Sequence, residues 1–134
     1  DRLGHAAYLG FYFACGTLAT VAQVAANPSS HVPMIGASGA IAGVMGAYFL
    51  VYPRSRILTA VFLLLFLDII EIPAIFFLGI WFLLQVIHGA TASGVEAGGV
   101  AFWAHAAGFV SGALGGLYIK VRDRNHREYW LEER

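Results

Sequence analysis

The chain has 134 residues, of which 59% are hydrophobic and 12% charged, with eight basic and eight acidic side chains. Soluble domains carry about a quarter charged residues, and a soluble fold of this size lacks the interior to hide so much apolar surface. The composition points to a multi-span membrane protein, and a net charge of zero offers nothing to nucleic acid.

A membrane helix needs about 20 mostly apolar residues, and residues 6–26 meet that requirement. No cleavable leader pattern precedes them. Residue 1 is Asp rather than Met, and the sequence is read as part of a longer or trimmed chain. Cys15 is the only cysteine and sits in an apolar run, as a small packing residue. The turn-rich loop NPSSHVPMIGAS follows. Its Asn27-Pro28-Ser29 is no glycosylation acceptor, because proline fills the middle position.

Residues 38–52 form a second apolar segment, which ends at Pro53, Arg54 and Arg56. Residues 57–67 are apolar but short, and Asp68, Glu71 and Pro73 follow at once. This stretch reads as an interfacial or re-entrant piece, with charge balance accounting for Asp68 and Glu71. A third span is expected over 73–92, a Gly-rich loop carrying Glu96 after it, a fourth span over 102–119, and a charged tail over 120–134. The predicted fold is an all-α polytopic bundle of four spans.

Charge orients these spans. Arg2, Arg54, Arg56, Lys120, Arg122, Arg124, Arg127 and Arg134 all fall on one side of a four-span map. That side, with the tail, is expected to be cytoplasmic, and the loops at 27–37 and 93–101 face outward. The second span is short: fifteen residues rise about 22 Å against roughly 30 Å of hydrocarbon. With Arg54 at the inner interface, the chain before Ser38 must dip inward. Irregular backbone at such depth is tolerated only when buried in protein or lining a wet cavity.

Depth is the key to chemistry. Ser38 lies 16 residues before Arg54, and His105 lies 15 before Lys120. Both helices run inward, so the two side chains fall within about 2 Å of equal depth. Gly39, Gly43 and Gly46 form a small-residue ridge on one helix, and Gly108, Gly112 and Gly116 form another on the His105 face. Such rows most often mean close packing and nothing more. Here they let a serine approach a histidine that can activate it. The Ser38 backbone N–H, with that of Ala37, lies at a helix start, where unpaired N–H groups can stabilise an oxyanion.

Each residue has a plainer role. A serine near a helix start is most often a cap. An ionisable group inside a span is costly, and function is its default reading. His31, His88 and His105 form a remote metal possibility with no ligand spacing behind it, so no metal or other cofactor is expected. His5 and His126 read as solvated. Gly36-Ala37-Ser38-Gly39-Ala40 is not G-x-S-x-G. There is no zinc motif, and Asp68 has no second aspartate for an aspartyl mechanism.

Gly36-Ala37-Ser38-Gly39, together with Ala104-His105-Ala106-Ala107-Gly108 and Gly112, resembles the GxSG and AHxxGxxxG pair of the rhomboid intramembrane serine proteases. Asp1-Arg2-Leu3-Gly4-His5 before an apolar span resembles the approach to the third span of the rhomboid core, and Tyr52-Pro53-Arg54 is similar to many bacterial members. The resemblance covers essentially the whole chain, as the last four of six core spans. It implies a Ser38–His105 dyad without an acidic third member, acting on transmembrane segments of other proteins. It also implies a multi-pass protein of the bacterial inner membrane with its active site open to the outer side.

Two departures stand out. The rhomboid histidine and asparagine that help bind the oxyanion, four residues apart on an earlier span, have no counterpart before Ser38. The plainest expectation is a truncated sequence whose isolated 134 residues are inactive. Position 42 is alanine where some rhomboids stack an aromatic on the histidine, which leaves the orientation of His105 without an owner. The competing readings are an inactive rhomboid-like scaffold that binds client helices and half of a small transporter. The lack of inverted-repeat symmetry weighs against the transporter.

Overall fold

The computed structural model describes residues 3–63, 66–91 and 100–132. In chain order these form α1 (His5–Ala26), α2 (Ser38–Val51), β1 (Arg56–Leu63), β2 (Phe66–Pro73), α3 (Ala74–Thr91) and α4 (Phe102–Glu132). Glu96 and most of the expected 93–101 loop lie outside the described residues, as does the His126 side chain.

Helices α1 and α3 are long and apolar enough to cross a membrane, with mean hydropathies of 1.5 and 1.8. Neither is the core helix of a soluble protein, because only 11% of each apolar window is buried. Phe13, Phe76, Leu83 and Leu114 lie largely exposed on three different helices. In water such a surface would be a liability, whereas against lipid tails it costs nothing. Helix α2, with 14 residues, is also apolar but shorter.

The buried residues are small. Cys15, Ala19, Ala40, Ala42, Ala104 and Ala106 are almost fully enclosed, with Phe109 and Leu78 the largest among the well-buried ones. Helices α2 and α4 run parallel and nearly touch. A Cβ on Gly108 would collide with the Gly39 carbonyl, one on Gly112 with the Gly43 carbonyl, and one on Gly116 with the backbone of Ala47. The same sequence offset of 69 recurs in all three pairs (108−39, 112−43, 116−47). The pair therefore holds one register for at least two turns. Near its C-terminal end the Lys120 ammonium donates to the Leu50 carbonyl at 3.5 Å, a cation near the negative end of α2.

Helix α3 packs differently. Its Trp81 and Phe82 rings lie 6.1 and 4.8 Å from Phe109 of α4, and Phe49 of α2 closes the same cluster at 5.6 Å. The backbone of the turn after α2 also caps α3: the N–H groups of Ala74 and Ile75 donate to the carbonyls of Ser55 and Pro53 at 2.7 and 3.1 Å. These are donors a helix start leaves unpaired.

An all-α fold is corrected by β1 and β2, which form an antiparallel two-stranded sheet in place of the expected interfacial or re-entrant piece. Ile57 pairs with Ile72, Thr59 with Ile70 and Val61 with Asp68. Ile57, Thr59 and Val61 are half-buried while Leu58 and Ala60 are exposed, the two-residue period of a strand. β-Branched side chains at those alternate positions favour it. Arg56 reaches diagonally to Glu71 at 2.7 Å, and Asp68 accepts the Ile69 N–H. The fourth helix also differs from its apolar segment. It does not stop at 119 but continues unbroken to Glu132, since residues 120–132 contain neither Gly nor Pro to end it.

Candidate active site

The loop before α2 sets up the site. Gly36 has φ 113°, a conformation that side chains rarely adopt, and it turns the chain so that α2 starts at Ser38. Ser38 is the first helical residue rather than the cap, a position taken by Ala37. Its hydroxyl lies 2.8 Å from His105 Nε2. Among the described residues nothing accepts from the backbone N–H groups of Ala37 or Ser38, which leaves two donors at the start of α2.

His105 occupies the first turn of α4. The Ala104 N–H, one of the orphans of that turn, donates to the side-chain carbonyl of Gln23 on α1 at 3.0 Å. The His105 ring is held by α3: Nδ1 lies 2.9 Å from Gln85 Oε1, and the Trp81 ring sits 5.9 Å away with planes inclined by 36°. Ala42, fully buried, gives the ring no aromatic support from α2, and α3 supplies it instead.

Ser38 and His105 open onto a cleft of about 600 Å³, lined by α1 residues such as Gly16 and Thr20, by Met34–Ala37 of the loop, and by Ala104. The other histidines stand apart. His88 packs on Phe102 with centroids 5.3 Å apart, His31 is exposed in its loop and His5 is exposed at the start of α1. Among the described residues no three His, Cys, Asp or Glu side chains converge as metal ligands would. Gly39, Gly43 and Gly46 face Gly108, Phe109, Gly112 and Ala113 across the α2–α4 seam.

Sequence reasoning missed Gln23 and Gln85. The signal was present, because each is an uncharged amide inside a strongly apolar span, where a polar group needs a partner. What it lacked was the rotation of α1 and α3. Both helices are too uniformly apolar for periodicity to say which face turns inward.

The fold and site thus define an apolar helical bundle with a serine and a histidine in hydrogen-bond contact at one end of two tightly packed helices. A family model for the rhomboid domain matches residues 1–122. This chain is a member of the rhomboid family and a membrane protein. No curated protein and no solved structure matches it.

Proposed function

We propose that this protein is an intramembrane serine endopeptidase that cleaves peptide bonds in or near transmembrane segments of other membrane proteins. The observation that carries the proposal is the 2.8 Å contact between Ser38 Oγ and His105 Nε2. The rhomboid domain match supports the same reaction class.

His105 Nε2 takes the Ser38 hydroxyl proton as Oγ attacks the substrate carbonyl, the general-base and nucleophile pairing of acyl transfer. The oxyanion that forms draws on the backbone N–H groups of Ser38 and Ala37. When the C–N bond breaks, His105 returns the proton to the departing amine. Water then attacks the acyl-enzyme, giving its proton to His105, and Ser38 leaves with that proton restored. The cleft beside Ser38 has room for a short extended peptide and water. The arrangement in the bilayer that suits this reaction has four spans, with the basic residues in the cytoplasm of a bacterial cell and the cleft open to the outer side. Gly36, Gly39, Gly43, Gly108, Gly112 and Gly116 act by packing and by turning the chain.

The test is cleavage of a transmembrane substrate by the full-length protein in proteoliposomes, together with labelling by a fluorophosphonate probe. Ser38→Ala and His105→Ala are each expected to abolish cleavage, and Ser38→Ala to abolish labelling. Undiminished cleavage by either variant overturns the dyad. A wild-type protein that binds client helices but neither labels nor cleaves is an inactive scaffold.

A further inference from the structure

We propose that Gln85 is the positioning residue of the dyad, holding His105 in the tautomer whose bare Nε2 faces Ser38. The inference rests on the reading of Ser38 and His105 as nucleophile and base. It assigns to a neutral amide on α3 the task of orienting the base.

The hydrogen bonds leave little freedom. Gln85 is the one buried polar side chain among the described residues, at 9% exposure, in a helix whose only other polar side chains are His88 and Thr91 near its C-terminal end. An amide there is costly unless both its ends are bonded. Its NH2 group donates to the Trp81 carbonyl at 3.5 Å, and a carbonyl can only accept. The amide oxygen is therefore the end that faces His105 Nδ1, at 2.9 Å. An amide oxygen also only accepts, so Nδ1 must carry the hydrogen. A neutral imidazole has one N–H, which leaves Nε2 with a lone pair directed at the Ser38 hydroxyl at 2.8 Å. The chain of bonds runs one way, from Ser38 through the ring to Gln85 and on to Trp81.

One turn of α3 supplies both restraints, since Trp81 and Gln85 are four residues apart and lie on the same side of the helix. Trp81 limits the tilt of the ring and Gln85 limits its spin. The bond from Nδ1 to Gln85 persists when His105 is protonated, because the imidazolium donates from both nitrogens. Gln85 thus serves both states without moving. An amide also selects the tautomer without adding charge. The groups that face the ring are Ser38 from α2 and Gln85 and Trp81 from α3, with Phe109 one turn further along α4. Helix α1 brings the neutral Gln23 to the adjacent backbone, and His88 is turned to Phe102. None of the groups on the ring ionises near neutrality.

The experiment compares Gln85→Met and Gln85→Glu with the wild type, using the full-length protein in proteoliposomes. Gln85→Met keeps the bulk and removes the acceptor. Its kcat is expected to fall at least about tenfold with KM within about twofold, as part of the roughly 10²–10⁴-fold that a correctly presented base contributes. Gln85→Glu restores the acceptor and with it most of kcat at alkaline pH. The carboxylate holds the imidazolium charged, so the neutral base appears only at higher pH. The acidic limb of the rate profile should then move upward by about one unit.

Nitrogen-15 spectra of His105 supply a readout independent of turnover. The wild type should show Nδ1 protonated and Nε2 bare, and Gln85→Met a mixture of tautomers. If Gln85→Met fails to fold, the pH displacement in Gln85→Glu decides. An unchanged kcat, pH profile and tautomer across the variants overturns the role of Gln85 while fluorophosphonate labelling of Ser38 continues. Loss of labelling and cleavage in the wild type would instead remove the dyad itself, and the inference with it.

Discussion

The two helices that flank α4 hold it by opposite means. Helix α2 meets it backbone to backbone along a row where glycine faces carbonyl. Helix α3 meets it through large rings, Trp81 and Phe82 against Phe109, and through one amide. The first contact fixes distance, since nothing shorter than a missing side chain exists, and so it is the one that brings serine to histidine. The second fixes orientation, because rings and amides are directional. The difference teaches that closeness and aim are supplied by separate interfaces and should fail separately.

The seam should give the largest effect. Gly112→Val places side-chain atoms where the Gly43 carbonyl now lies. Overpacking of this kind costs about 1–3 kcal/mol even where neighbours can shift, and here the neighbour is backbone. The expected result is a clearly lowered unfolding midpoint in detergent together with loss of cleavage, as the helices part. A normal midpoint would show that the seam is looser than described.

Next comes the amide of α1. Gln23→Ala removes the acceptor from the Ala104 N–H, and loss of a helix-start acceptor typically costs about 1 kcal/mol. Stability should fall modestly, and hydrogen exchange should quicken in the first turn of α4 but not in its middle. Uniform exchange along α4 would argue that Gln23 does not anchor that turn.

The smallest effect belongs to an exposed ion pair on the two strands. Arg56 and Glu71 are a close pair but well exposed, at 71% and 48%. Exposed pairs are worth roughly 0–1 kcal/mol, so Glu71→Gln should shift stability by no more than about 0.5 kcal/mol, with cleavage unchanged. A large loss of activity would tie the strands to the site.

Much of the seam could be read without coordinates. Counting back from Arg54 and Lys120 pairs Ser38 with His105 because both helices run the same way and basic residues follow their apolar segments. The glycine rows then say that those helices touch. The side-by-side placement follows, and its catalytic use is the proposal made above. The contribution of α3 was not legible, for a physical reason. In AIFFLGIWFLLQVIHGAT almost every position is apolar, so no stripe marks the inward face, and Gln85 and Trp81 gave no hint of pointing at His105. The strands escaped for a related reason. A short apolar run does not reveal whether its period is two or 3.6, and only the pairing of Ile57 with Ile72 and Thr59 with Ile70 decides it.

The contact of glycine with carbonyl also has a genetic consequence. When a side chain grows in an ordinary core, a shrinking neighbour can compensate for it. Across the Gly43–Gly112 and Gly39–Gly108 contacts no such bargain exists, because the opposing atom belongs to the main chain and both residues are already the smallest. A search for second-site suppressors of Gly108→Val or Gly112→Val should find none on the facing row.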